Sequence, residues 1–143
     1  MEGNPKNKTL VIRNNIDELK KLVVFLETLE DEWNLPPGLV PSINLALEEA
    51  LTNVIFYAYE KGTENEITVD FRLNEGLITI VITDTGKPYD PTAKEDPDIN
   101  LSAEDRPIGG LGIFLIKQIM NEVSYRRVDG KNELTMMKKI ITK

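Results

Sequence analysis

Apolar residues recur at helical spacing between residues 16 and 33: Ile16, Leu19, Leu22, Val23, Leu26, Leu29 and Trp33. That period predicts an amphipathic helix with one buried stripe, and Asn15 ahead of it is a capping residue type. Residues 9–14 before it read as a short strand. After the Pro36-Pro37-Gly38 break a second stripe runs through Ile43, Leu47, Ala50, Leu51, Val54 and Ala58. It predicts a helix from near Ser42 to about Tyr59. The period then drops to two: Ile67, Val69, Phe71 and Leu73 share one face of a strand over 66–73. A turn at 74–76 leads into a more apolar strand over 77–83, so the two form an antiparallel hairpin. Periodicity fades from Thr85 to Arg106, a stretch holding Pro88, Pro91 and Pro97, with Pro107 just beyond. A loop of about 20 residues inside a small domain is either a functional lid or a surface insertion. A third helix runs from Leu111 to about Asn121, and residues 122–140 form a second hairpin turning at Asp129-Gly130.

Two hairpins linked by a helix give a mixed, mainly antiparallel sheet of about five strands. Three helices then cover it, most simply on one face, so the fold class is α+β, a two-layer α/β sandwich. Thr68, Asp70 and Arg72 belong on its exposed face. Residues 9–141 read as a single domain, with 1–8 as a flexible N-terminus.

Composition narrows the chemistry. The chain has 143 residues, with neither cysteine nor histidine. Disulfides, thiolate metal sites, histidine-based triads and phosphorylation of a histidine within this chain are excluded. The net charge of −7 argues against non-specific binding to nucleic acid or an anionic membrane. No apolar run approaches the roughly 20 residues of a membrane span, and no export signal is evident, so a cytoplasmic protein is expected.

Three stretches carry candidate chemistry. In Glu48-Glu49-Ala50-Leu51-Thr52-Asn53, Glu49 and Asn53 lie about 40° apart on one edge of the second helix's apolar stripe. Such an edge lets a half-buried side chain reach a cleft. Asn is a neutral oxygen ligand suited to Mg²⁺, and Glu one turn earlier is placed to accept a proton from a hydroxyl. A solvated acidic helix face is the bland alternative. In Asp84-Thr85-Gly86, period two puts Asp84 on the inward face with Ile78, Ile80 and Ile82. A buried carboxylate needs a partner: an exocyclic amine would serve, and so would backbone N–H groups of a turn. Gly86 would let a flat ring approach the backbone. Gly109, Gly110 and Gly112 open a helix, where backbone N–H groups and the helix dipole favour an anion. They fit neither the lysine-bearing phosphate loop nor the dinucleotide fingerprint, and a tight packing turn is the alternative.

Taken together and in this order, E-x-x-x-N at Glu49–Asn53, D-x-G at Asp84–Gly86 and G-x-G at Gly110–Gly112 resemble the three nucleotide-binding boxes of the GHKL ATPase superfamily, which has the Bergerat ATP-binding fold. Within it the chain resembles the anti-sigma factor serine/threonine kinases over about residues 9–141. The resemblance implies Mg-ATP as cofactor, with Asn53 binding Mg²⁺ and Glu49 as general base for the acceptor serine or threonine. It implies that Asp84 bonds the adenine amino group beside Gly86, and that Gly109, Gly110, Leu111 and Gly112 hold the phosphates through backbone N–H groups. The lid, 87–108, would close over ATP, and Thr135 is the candidate for a late-strand threonine that assists adenine binding. It further implies a homodimer whose partners are a sigma factor and an anti-anti-sigma protein of the STAS type, with neither nucleic acid nor membrane. A non-catalytic ATP-binding module that sequesters a protein is the alternative. Two departures from the family pattern stand out: Phe56 and Tyr57 stand where a basic residue or histidine is common, and Ile108 stands directly before the glycines, with Arg106 two residues further back.

Overall fold

The structure is a computed structural model that describes residues 5–93 and 110–140. In chain order the elements are β1 (Lys6–Arg13), α1 (Leu19–Trp33), α2 (Leu39–Asn53), β2 (Glu66–Asn74), β3 (Leu77–Asp84), α3 (Gly110–Ile119), β4 (Glu122–Val128) and β5 (Lys131–Lys139). The five strands form one sheet in the order β1-β2-β3-β5-β4. Every neighbouring pair is antiparallel, so the sheet is not mixed as the sequence suggested. The reason is where the second hairpin docks. β4 runs parallel to β3 but takes the outer edge, and its hairpin partner β5 inserts between them.

Alternation along the strands sets the two faces. Ile67, Val69 and Phe71 of β2, Ile78, Ile80 and Ile82 of β3, and Leu134 and Met136 of β5 are all buried. They meet Leu22, Leu26 and Leu29 of α1, Ile43, Leu47 and Leu51 of α2, and Ile113 and Ile116 of α3 in one core. Each fully buried Leu, Ile or Phe side chain is worth roughly 1.5–3 kcal/mol relative to exposure, so this layer dominates the stability. Phe25, off the main stripe of α1, packs on Phe71 with ring centroids 5.2 Å apart. Both hairpin turns place two successive residues at positive φ, Glu75-Gly76 and Asp129-Gly130, the geometry that matches strand twist.

Several boundaries differ from the sequence reading. β1 begins at Lys6, and Lys6, Asn7 and Lys8 pair with Leu73, Arg72 and Phe71 of β2. Residues 6–8 are therefore part of the sheet, because ladder hydrogen bonds need no apolar side chain. Lys8 also pairs with Glu32 of α1. Asn15 caps a single 3₁₀ turn, Ile16–Glu18, through a bond from Asp17 N–H, rather than α1 itself. Ile16 and Val23 are exposed. α2 starts at Leu39 after Gly38, whose φ of 87° favours glycine. It stops at Asn53 and continues as a π-helical turn, Val54–Ala58. The joined stretch Leu39–Ala58 is 20 residues, long and apolar enough by that measure to cross a bilayer, contrary to the sequence expectation. Its apolar side packs into the core and its flanks carry Asn44, Glu48, Glu49 and Asn53.

Candidate active site

The C-terminal ends of α2 and β3, the start of β5 and the first turn of α3 converge at one end of the sandwich. α2 ends in Asn53, which is buried, 6 % exposed. Its Nδ2 has no hydrogen-bond partner among the described residues. An unsatisfied buried amide costs about 1–3 kcal/mol, so a ligand or water is the expected complement. Glu49 sits one turn earlier, half-buried on the same edge.

Gly112 closes this corner. A methyl group there would lie 2.9 Å from Glu49 Oε2 and 3.5 Å from Asn53 Nδ2. The first turn of α3 thus approaches both side chains, and glycine keeps that approach open. Helix N-termini carry unpaired N–H groups and partial positive charge, the features that suit such a turn to an anion. Gly110 and Leu111 belong to that turn. Gly109, the lid from 94 to 108, Arg106 and Ile108 lie outside the described residues.

Asp84 ends β3 facing inward, 3 % exposed. Its Oδ1 accepts hydrogen bonds from Gly86 N–H at 2.9 Å and from Asn132 Nδ2 at 2.9 Å. Its second oxygen has no hydrogen-bond partner among the described residues. Burial pushes the carboxyl above its usual range, while the Asn132 and Gly86 bonds and the nearby Arg127 charge pull the other way. Of the two partners foreseen, the turn N–H is present, from Gly86, and the Asn132 amide joins it on the same oxygen, which leaves the second oxygen for a ligand amine.

Gly86 has a close protein neighbour on the side where a side chain would stand. A methyl group there would lie 2.3 Å from the Ala58 carbonyl oxygen, at the end of the π-helical turn. Glycine is required by backbone packing, reinforced by the bond from Lys87 N–H to the same carbonyl at 2.9 Å. Thr135 is not where the sequence placed it. It pairs with Val81 and Ser124 and points to the sheet face opposite Leu134 and Met136, away from Asp84. The register instead sets Asn132 opposite Asp84.

Asn132, Tyr125, Tyr89 and Arg127 escape a reading of the sequence alone. A cavity of ≈ 10 Å³ lies between Asn53, Asp84, Tyr89, Pro91, Tyr125 and Asn132. Tyr89 stacks on Tyr57 of the π-helical turn, centroids 5.4 Å apart and planes 20° off parallel. Among the described residues no group of three or more histidine, cysteine or acidic side chains could hold a metal. A divalent ion here would draw one or two ligands from the protein, and phosphate and water would fill the rest, the usual manner of Mg²⁺. Asn53 fits that role. Its orphaned amide faces the glycine turn, and rotation of the amide presents the oxygen.

The chain is similar to known proteins in sequence and in fold. Residues 12–138 match the histidine kinase-like ATPase domain family. The serine/threonine-protein kinase BtrW of Bordetella bronchiseptica is 33% identical over 108 residues, covering 76% of this chain and 75% of that protein. The serine-protein kinase RsbW of Listeria monocytogenes is 33% identical over 88 residues, 59% of this chain and 56% of that protein. This chain therefore aligns with little more than half the length of the Listeria relative. Among solved structures, one of RsbU and RsbW domains from Mycobacterium tuberculosis superposes over 94% of this chain and 32% of its own, with TM-score 0.67 and 13% identity. The histidine kinase domain of a blue-light activated kinase from Erythrobacter litoralis covers 87% of this chain and 60% of its own, with TM-score 0.54 and 15% identity. Both show the shared fold.

Proposed function

The chain belongs to the histidine kinase-like ATPase domain family, in its serine/threonine protein kinase branch, and from that premise we propose that it is an anti-sigma factor kinase. It binds Mg-ATP, sequesters a sigma factor, and phosphorylates a serine or threonine of an anti-anti-sigma protein of the STAS type. It acts in the cytoplasm, as a homodimer. The observation that carries this reading is the convergence of Glu49 Oε2 and Asn53 Nδ2 on Gly112, beside a carboxylate with one oxygen to spare.

Each group has one task. The free oxygen of Asp84 accepts a bond from the purine amino group. Backbone N–H groups at Gly110–Gly112 hold phosphate oxygens. Mg²⁺, when bound through Asn53, disperses phosphate charge. Glu49 orients the acceptor hydroxyl and takes its proton as the oxygen bonds to the terminal phosphorus. The bond from that phosphorus to the bridging oxygen breaks, and ADP leaves. The cavity beside Asp84 has room for about one water, so a purine enters only as its lining opens.

The test is transfer of labelled phosphate from Mg-ATP to a co-purified acceptor protein, with calorimetry in parallel. Glu49→Gln is expected to bind Mg-ATP as the wild type does and to transfer about 10²–10⁴-fold more slowly. Asn53→Ala is expected to lose the Mg²⁺-dependent part of the affinity. Wild type that binds Mg-ATP yet phosphorylates no partner would leave a sequestering module, and wild type that binds no nucleotide would end both readings.

A further inference from the structure

Asn132 is the most heavily used polar side chain near the candidate site. It is 3 % exposed, near the start of β5. Its Nδ2 donates to Asp84 Oδ1 at 2.9 Å and to the Lys87 carbonyl at 2.8 Å. Its Oδ1 accepts from Tyr125 OH at 2.5 Å, Arg127 Nη1 at 3.2 Å and Tyr89 N–H at 3.3 Å. Arg127 also donates to the Gly86 carbonyl at 2.7 Å. One amide therefore ties the end of β3, the start of the following segment and two side chains of β4 together.

We infer that Asn132 is the positioning residue for purine recognition: it fixes the rotamer of Asp84 with Oδ1 occupied and Oδ2 turned to the cleft, and pins the segment at Lys87–Tyr89 on which the ring must rest. The inference depends on the reading of Asp84 as purine acceptor given above. Three features make the assignment specific to this residue type. A donor is needed toward a carboxylate, and an acceptor is needed toward Tyr125, Arg127 and a backbone N–H. The primary amide supplies both from one buried side chain, two N–H donors on Nδ2 and an acceptor on Oδ1, which a single hydroxyl does not match. Aspartate would set two carboxylates 2.9 Å apart, and leucine would strand every partner. The coupling also bears on nucleotide choice. With Oδ1 held by its own chain, Asp84 can only accept at Oδ2, which suits a base presenting an amine and rejects one presenting a carbonyl.

The charged and titratable groups facing Asp84 are few. Arg127 and Tyr125 come from β4, Tyr89 from the segment after β3, and α2 presents the neutral Asn53. No second carboxylate lines that cavity among its described residues. Asn132→Asp would add one, and the pair would share a proton at acid pH.

The experiment measures Mg-ATP and Mg-GTP affinity of wild type, Asn132→Ala and Asn132→Asp between pH 5 and 8, with melting curves alongside. Asn132→Ala is expected to lose about tenfold or more in ATP affinity, with ATP-over-GTP preference narrowed, because a charge-assisted bond is removed. Asn132→Asp is expected to bind poorly at pH 8 and to recover as pH falls, since the introduced carboxyl, once protonated, donates to Asp84 as the amide did. Wild type weakens over the same acid range as Asp84 protonates. Opposed pH profiles are not produced by a residue that merely supports the fold. Affinities within about twofold of wild type for both variants at every pH would overturn the inference. Should the alanine variant not fold, carboxyl-¹³C titration of Asp84 in nucleotide-free wild type and Asn132→Asp decides the matter. A displaced Asp84 midpoint supports the coupling and an unmoved one ends it. That titration needs no nucleotide, so it separates failure of Asn132 from failure of the ATP reading, which wild-type calorimetry reports.

Discussion

A methyl group on Gly86 would meet the Ala58 carbonyl at 2.3 Å, whereas one on Gly112 would meet the end of a glutamate side chain at 2.9 Å. Backbone cannot retreat as a side chain can, so the two glycines should fail differently. Gly86→Ala is expected to cost about 1–3 kcal/mol of stability, read as a lower urea midpoint. Gly112→Ala is expected to keep its midpoint and lose nucleotide affinity, because Glu49 swings aside and the methyl group fills the corner where phosphate is proposed to sit. Asp84→Asn separates stability from function along the pH axis. Burial raises the folded carboxyl above its unfolded value, so its stabilising share is complete below about pH 4 and is lost as pH rises through the folded value. The asparagine variant lacks that loss. Its urea midpoint should gain on wild type as pH rises above about pH 4 and through the folded value, while its Mg-ATP affinity collapses because an amide N–H now faces the place proposed for the purine amine. Asp84 and Gly86 are both legible as special residues from sequence, through period two and the D-x-G spacing. What they touch is not legible, since Asn132 and Ala58 are 48 and 28 positions away in the chain and only the fold brings them close.

Elements with strong periodicity are legible in the sequence, and those set by long-range pairing are not. The stripe on α2 and the alternation in β2 reappear in the core. The π-helical turn at Val54–Ala58 has no such signature, since the residues keep a helical stripe while the hydrogen bonds shift by one. Tyr57 of that turn lies against Tyr89, and Phe56 is exposed. β1 reaches back to Lys6 because β2 offers a free edge, which polar residues 6–8 could not announce. The strand order decides the Thr135 question in the same way. Alternation is visible in the Asn132–Met136 sequence, but which alternate set faces the helices depends on the pairing with β3, and Asp84 opposite Asn132 fixes it. Thr135→Val should therefore bind Mg-ATP within about twofold of wild type by calorimetry. A larger loss would mean that β5 slips by one residue, which would turn every one of its side chains to the other face.

At the scale of the whole molecule, the core and the candidate site adjoin: Ala50, Val54 and Leu134 belong to the buried layer and also line the cavity beside Asp84. That layer spans α1, α2, α3 and the inner sheet face, and it is built from contacts between the chain's own side chains. The site instead holds an orphaned amide at Asn53 and a carboxylate raised by burial at Asp84, both of which a ligand would relieve. The fold should thus form without ligand and tighten with it. Binding to the folded state alone adds RT ln(1 + [L]/Kd), about 2.7 kcal/mol at a hundredfold excess over Kd. For a domain of 143 residues that corresponds to a rise in Tm of roughly 5–15 °C. The increment should grow logarithmically with Mg-ATP, shrink when EDTA removes the metal, and vanish in Asp84→Asn. The metal-dependent part should vanish in Asn53→Ala while the metal-free part survives, because the proposed reading gives the purine and the metal different side chains. Scanning calorimetry of wild type and these two variants against ATP, with and without Mg²⁺, measures each of these outcomes. If EDTA left the wild-type increment untouched, Asn53 would be a structural amide and the phosphate charge would have to be met by a cation from elsewhere in the chain.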